Sequence, residues 1–250
     1  SAYLGKARIE AQLGQPSASE QTLLAARQAS PASLEARLAL FSFYAVNQQT
    51  AEALQTLDGA IADFPEQVDL YTTKARFLVR QEEFDRAEAV LHQAVTVAPH
   101  DSKPHLALAA FYENRGTRDK AQMAYAKALE LKPDDLAIKN RMARFYLAGG
   151  EIKAAEEIID SILAERPNHA PTRMLKAELL ISQRRFPEAL TLLDGLVAEE
   201  PNMARGHYFK ALAYLGRYDE ALEKVDMVKQ DARGKILSNV FAVEALIYEC

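Results

Sequence analysis

The 250-residue chain has a single cysteine, Cys250, and no tryptophan. A lone thiol at the last position excludes an internal disulfide and any cysteine-based zinc site. Nothing beside it in sequence would lower its pKa, so it does not read as a nucleophile. No apolar run approaches the ~18 residues needed to cross a bilayer. The five histidines, His92, His100, His105, His169 and His207, include no His-Glu-x-x-His and no pair four residues apart, so no metal site is expected. Gly149-Gly150 follows no strand pattern and precedes no Lys-Ser/Thr, so it is a helix stop and not a phosphate loop. Carboxylate pairs such as Glu156-Glu157 and Glu199-Glu200 lie on polar helix faces or near turns, whereas acid–base catalysis needs a buried partner. The net charge of −5, with lysine and arginine scattered and not interleaved with aromatics, argues against nucleic acid. These absences predict a protein that is not an enzyme and holds no cofactor.

What is present is a period. Pro31, Pro65, Pro99, Pro133, Pro167 and Pro201 follow one another at intervals of 34 residues. Pro16, Pro104, Pro171 and Pro187 fall at or near the first turn of predicted helices, where a missing N–H costs nothing. Small residues recur at Ala7, Ala75, Ala109, Ala143, Ala177 and Ala211, interrupted by Phe41, and three positions on stand Tyr44, Leu78, Tyr112, Tyr146, Leu180 and Tyr214. A second set runs Ala53, Ala87, Ala121, Ala155 and Ala189, then Leu57, Leu91, Tyr125, Ile159 and Leu193, then Ala60, Ala94, Ala128, Ile162 and Leu196. Spacings of three, four and seven put each set on one face of an α-helix. No stretch alternates with period two, so no strands are predicted.

Each unit therefore holds two helices, exemplified by 104–114, stopping near Gly116, and 119–131, ending before Pro133. Asp134 and Asn168 are placed to cap the helices that follow. One such hairpin cannot bury its apolar face alone, and stacking the next one covers it. Seven units are expected, at about 1–33, 34–67, 68–101, 102–135, 136–169, 170–203 and 204–233. The seventh is irregular: Pro201 to Ala221 is 20 residues where Pro99 to Ala121 is 22, which places a two-residue loss in its first helix or the approach to it. Residues 234–250 read as one further helix, with Phe241 and Ile247 on an apolar side that either packs on another segment of a longer protein or mediates self-association.

On these prolines and alanine columns the chain resembles the tetratricopeptide repeat family over nearly its whole length. The family's first-helix aromatic column is kept by Tyr3 and Tyr71 but not by Arg37, His105, Lys139 and Arg173. The resemblance implies an all-α fold, a right-handed α-solenoid of about seven 34-residue helix-turn-helix repeats plus a C-terminal helix, whose first helices line a concave groove. Its alanine- and arginine-rich repeats resemble those of bacterial members. The lysine–asparagine set with which some members clamp chaperone C-termini is absent, Thr72, Arg76 and Ala107 standing among those positions.

The groove column implied by the resemblance reads Ser42, Arg76, Ala110, Arg144 and Glu178. Thr72, Arg80, Lys103, Glu113, Asn114, Asn140 and Arg141 lie nearby. Thr72, Arg76 and Arg80 share one helix face at four-residue steps, as do Asn140 and Arg144. Arginine suits carboxylates and asparagine suits peptide backbone, so the expected partner is a protein or an extended peptide with acidic side chains or a free C-terminus. Two alternatives stand beside this scaffold: a platform that self-assembles through its terminal helices, and the recognition arm of a larger enzyme or of a secretion or envelope assembly. The first residues show no signal-peptide pattern, and the chain starts at a repeat edge, as a fragment of a longer protein would. Cytoplasm and bacterial periplasm or envelope both fit.

Overall fold

The computed structural model describes residues 2–231. The expected terminal helix at 234–250, with Phe241 and Ile247, lies outside the described residues, which hold thirteen α-helices and no strand. Twelve of them pair as hairpins: α1 (Ala2–Gln12) with α2 (Pro16–Ala29), α3 (Leu34–Val46) with α4 (Thr50–Asp63), α5 (Val68–Arg80) with α6 (Phe84–Val97), α7 (Ser102–Asn114) with α8 (Arg118–Leu131), α9 (Leu136–Ala148) with α10 (Ile152–Glu165), and α11 (Ala170–Ser182) with α12 (Phe186–Glu199). The thirteenth, α13 (Ala204–Asp231), stands alone. The chain divides into two compact units, one holding α1–α8 through Pro133, the other starting at Asp134 and holding α9–α13.

The same three-residue link closes every hairpin. Its middle residue has positive φ: Gly14 at 70°, Gln48 at 60°, Glu82 at 62°, Gly116 at 69°, Gly150 at 76° and Arg184 at 60°. The next residue's N–H reaches back to a carbonyl of the last helical turn, as Thr117 to Tyr112 and Glu151 to Tyr146. This is the left-handed stop of a Schellman motif. Three units reach it without glycine. Helix starts differ from the expectation by one position. Asp135, not Asp134, accepts from the N–H groups of Ala137 and Ile138, and Ser33 and Asp101 cap α3 and α7 likewise. The corresponding residue in the sixth repeat is His169, not Asn168, and its side chain makes no cap bond.

Packing follows the alanine columns. Ala53, Ala87, Ala121, Ala155 and Ala189 are wholly buried, and the Leu57 and Ala60 columns are buried in every repeat that carries them. Within each unit, α2, α4 and α6, and likewise α10 and α12, thus lie between their own first helix and the next one. Salt bridges repeat over this seam, Lys74 to Asp58 in the first unit, Lys176 to Asp160 at 2.9 Å and Lys210 to Asp194 at 2.7 Å in the second.

Non-aromatic residues in the family's aromatic column have their own anchor. Tyr71 Oη donates to the carbonyl of Pro65 at 3.0 Å, the Arg37 guanidinium donates to that of Pro31, and His207 Nε2 to that of Pro201 at 2.9 Å. Arg37 also reaches the Gly59 carbonyl and Asp63, and Arg173 bonds both carboxylate oxygens of Glu199. Glycine at 195 lets the Arg173 guanidinium lie close on the second helix, whereas at Gly59 a Cβ would meet Arg37 only at an ordinary 3.8 Å. A Cβ on Gly195 would come within 2.9 Å of Arg173 Nη2.

The seventh repeat departs from the helix-turn-helix expectation: α13 runs 28 residues without a turn. The Lys210–Asp194 and His207–Pro201 contacts keep the regular register, so the two-residue loss falls after this segment and not at its approach. It removes most of the link that would hold a left-handed residue. Ala213 and Phe209 still pack on the preceding hairpin. Ala211 and Tyr214, expected in the core, are exposed, together with Tyr208 and Leu215. On α13 that side has no antiparallel helix against it among the described residues. Gly216, within the helix, lies against Phe186, whose ring atoms stand 2.4 Å from where a Cβ would be. Gly216→Ala should lower stability by about 1–3 kcal/mol through overpacking, despite the better helix propensity of alanine. Glu82→Gly, by relieving the left-handed strain, should raise it by up to about 1 kcal/mol. Chemical denaturation of both variants checks the pair, and an unchanged midpoint for Gly216→Ala would overturn the contact.

Candidate functional site

The sequence-derived site lies on first helices, where side chains outside the core columns reach solvent. In the first unit, Thr72, Arg76 and Arg80 follow one another along α5. The Thr72 hydroxyl donates to the Asp69 carbonyl at 3.2 Å. Arg76 is exposed and makes two long bonds of 3.4 Å, to the Thr72 carbonyl and the Thr73 hydroxyl. The Arg80 guanidinium lies 5.7 Å from the Phe77 ring centre. Thr73, Arg76 and Arg80 border a depression of about 390 Å³. On α7, Lys103 pairs with Asp69 at 3.7 Å, Glu113 accepts from the buried Tyr125 hydroxyl at 2.8 Å, and Asn114 is exposed.

In the second unit, Arg141 and Arg144 are exposed on α9. Asn140 is engaged internally: its amide donates to the Leu136 carbonyl, and its oxygen accepts from the wholly buried Thr172 hydroxyl at 2.9 Å. Nδ1–H of His169 donates to that same hydroxyl at 2.6 Å. Glu178 on α11 is held by Arg205, with oxygens at 2.9 and 3.0 Å. Arg76, Arg80, Arg141 and Arg144 form no ion pair among the described residues. The other six candidates are short, exposed and polar, or already bonded within the chain.

One cluster was not singled out by sequence. On the α6, α7 and α8 side of the first unit, a largely apolar cavity of about 380 Å³ is bordered by His92, His105, Tyr112, Glu88, Lys120 and Met123, among others. Tyr112 Oη donates to Glu88 at 2.7 Å, Lys120 Nζ donates to the same carboxylate at 3.0 Å, and His92 Nε2–H donates to the tyrosine oxygen at 3.2 Å. Those donors hold the Glu88 carboxyl below its ordinary value, Tyr112 first and Lys120 next. Burial, followed by the Glu88 hydrogen bond, pushes the Tyr112 phenol well up. Only the 34-residue register brings these residues together, so no local motif announces them.

His105 occupies the aromatic column and is buried, and burial first, then the nearby Lys127 charge, pushes its imidazole below the usual value. Its protonated form is therefore disfavoured in the folded chain. Stability is complete above the unfolded value of about 6.5 and falls below it, where only the unfolded chain readily takes the proton. His105→Tyr, which restores the residue type of Tyr71, should abolish this fall below about pH 6.5. Urea titrations across that range compare the two chains, and parallel pH profiles would sink the assignment.

The sequence model of the tetratricopeptide repeat matches residues 47–111, 115–179 and 160–213. No curated protein matches the chain. Among solved structures, yeast Tom70 superposes with a TM-score of 0.69 at 16% identity, over 93% of this chain and 50% of that one. A tetratricopeptide repeat protein from Parabacteroides merdae gives 0.62 at 16% identity, over 99% and 98% of the two chains. PilF of Pseudomonas aeruginosa gives 0.53 at 19% identity, over 84% and 96%. These likenesses are of fold. With its 34-residue period, its hairpins and the match across most of its length, the chain belongs to the tetratricopeptide repeat family, whose all-α solenoids are scaffolds for protein interaction.

Proposed function

We propose that the chain is a non-catalytic scaffold that binds a partner protein or extended peptide on the surface of its first helices, through arginines that meet acidic groups. The observation that carries this reading is the division among the cations. The lysines over the repeat seams are paired, Lys74 with Asp58, Lys176 with Asp160 and Lys210 with Asp194, and Arg173 is paired with Glu199 within its own repeat. Arg76, Arg80, Arg141 and Arg144 are exposed first-helix residues without a carboxylate partner among the described residues. A guanidinium held at an exposed helix surface offers paired donors to a carboxylate at little reorganisation cost. Ala110, half-buried and one repeat on from Arg76, leaves room beside it. Among the described residues no group of histidine, cysteine or carboxylate side chains converges as a metal site would.

Cross-linking the chain to a partner purified with it, followed by mass spectrometry, tests the surface. Cross-links should fall on α3, α5, α7, α9 and α11, and cross-links confined to second helices would overturn the reading. Arg76→Ala or Arg144→Ala should each weaken that complex by about 1–3 kcal/mol, the range for a hydrogen bond to a charged group. The loss should shrink as salt is raised. Melting should be unchanged, since neither residue is buried.

A further inference from the structure

We infer that the first-helix face of the α1–α8 unit takes an extended acidic segment in a fixed register, one apolar side chain entering a pocket between α1 and α3 while carboxylates four residues away meet Arg76 and Arg80. This rests on the scaffold reading and specifies the partner's chemistry.

The apolar half is a cavity of about 430 Å³ bounded by Leu4, Ala39, Phe43 and Val46, with Leu23 of α2 also lining it. Small residues make it: Ala7, Ala11 and Ala39 stand where longer side chains would fill the space between the two first helices. Val46 is 81% exposed, an unusual setting for a β-branched apolar residue on a packed hairpin. Arg8 and Ser42 line the same cavity, and they occupy the repeat position of Arg76, at intervals of 34 residues. The pocket and the Arg76–Arg80 depression therefore belong to one face. The two helices concerned are in contact, for the Phe41 and Phe77 rings meet edge to face at 5.4 Å.

The charged half is carried by first-helix arginines. In this unit Lys6, Arg37, Lys74, Arg86, Lys103, Lys120 and Lys127 all have carboxylate partners. Arg8, Arg76 and Arg80 have none among the described residues and share the face that holds the pocket; Arg27, Arg115 and Lys132, also without an ion pair there, lie on α2, in the α7–α8 link and after α8. Asp69, the acid beside them on α5, is neutralised by Lys103. The face thus presents an apolar pocket, one arginine at its lining, and a pair of arginines across α3. An occupant that matches both parts carries a bulky apolar residue and acidic residues. Adjacent packed helices lie roughly 8–10 Å apart, so the pocket and the arginine pair are separated by about 12–15 Å, or about four residues of extended chain.

The probe is a pair of fluorescein-labelled synthetic peptides in which a leucine and an Asp-Asp pair are separated by Ser-Gly-Ser, in both orders. Anisotropy is measured against the whole chain. One order should saturate, and replacing its leucine with serine, or its aspartates with asparagines, should each weaken binding by about tenfold or more. Arg76→Glu with Arg80→Glu should produce the aspartate loss and no further loss with the asparagine peptide. Val46→Asp should produce the leucine loss, and Ala39→Leu, which fills the pocket, should do the same. Val46 is exposed, so its variant keeps the test open if Ala39→Leu fails to fold. Failure of both orders to bind, or binding indifferent to either the leucine or the arginine pair, overturns the inference. A partner cross-linked to first helices yet indifferent to Arg76, Arg80 and Val46 overturns this register while leaving the scaffold surface in place. Cross-links confined to second helices overturn the surface itself.

Discussion

Close approach of helix backbones along the alanine columns is the contact on which the rest of each unit is built. Ala53, Ala87, Ala121, Ala155 and Ala189 have no exposed surface. Their methyls are fully enclosed, and the leucine, isoleucine or tyrosine one turn on is buried beside them. Within each unit, a second helix used in this way has two neighbours, its own first helix and that of the next repeat. Apolar burial is therefore shared across repeat boundaries, and no single hairpin owns its core. The lysine–aspartate pairs over the same seams lie partly in solvent and contribute little energy each. Their contribution is to register, since each ties one repeat to the next at the same positions.

The aromatic column shows how much substitution that arrangement tolerates. Tyrosine at 71, arginine at 37 and histidine at 207 all reach the carbonyl of their repeat proline. What this position requires is a donor of the right length more than a ring. Arginine brings a further demand, an acid at the helix end, met by Asp63 and Glu199, and at 173 also a glycine on the second helix, Gly195, to make room. His105 meets the requirement differently, burying its ring next to a cavity and so acquiring a pH dependence that the arginines lack.

The period, the hairpins and the buried columns could be read from the chain because each rests on local spacing repeated many times. The seams' ion pairs could not, since 16 residues separate Lys74 from Asp58 and nothing short-range marks them. The left-handed stops were visible only where glycine fills them. Gln48, Glu82 and Arg184 occupy the same position by tolerating strain that composition does not signal. The seventh repeat was marked as short, but its outcome was not legible. Whether a helix breaks or runs on depends on having enough residues for a left-handed turn, and Gly216 lies against Phe186 within the continuous helix. Of the ten groove candidates, sequence could place all on first helices. It could not foresee that Asn140, Glu113 and Glu178 are bonded to Thr172, Tyr125 and Arg205.

An acidic chain that presents arginines to an acidic partner needs its local field to prevail over its net charge of −5. At physiological salt, charges more than about 8 Å apart are largely screened. An approaching carboxylate therefore responds to the groups beside it and not to the sum over the chain. In the α1–α8 unit the nearest acid on α5 is already neutralised by Lys103, so Arg76 and Arg80 dominate their surroundings despite the overall sign. Pairing elsewhere adds to this: the seam lysines are satisfied by Asp58, Asp160 and Asp194 and so offer little free charge of their own. The packing contacts that stack the repeats and the exposed surface are in this way drawn from the same periodic set of positions, one side of each first helix facing the core and the other solvent.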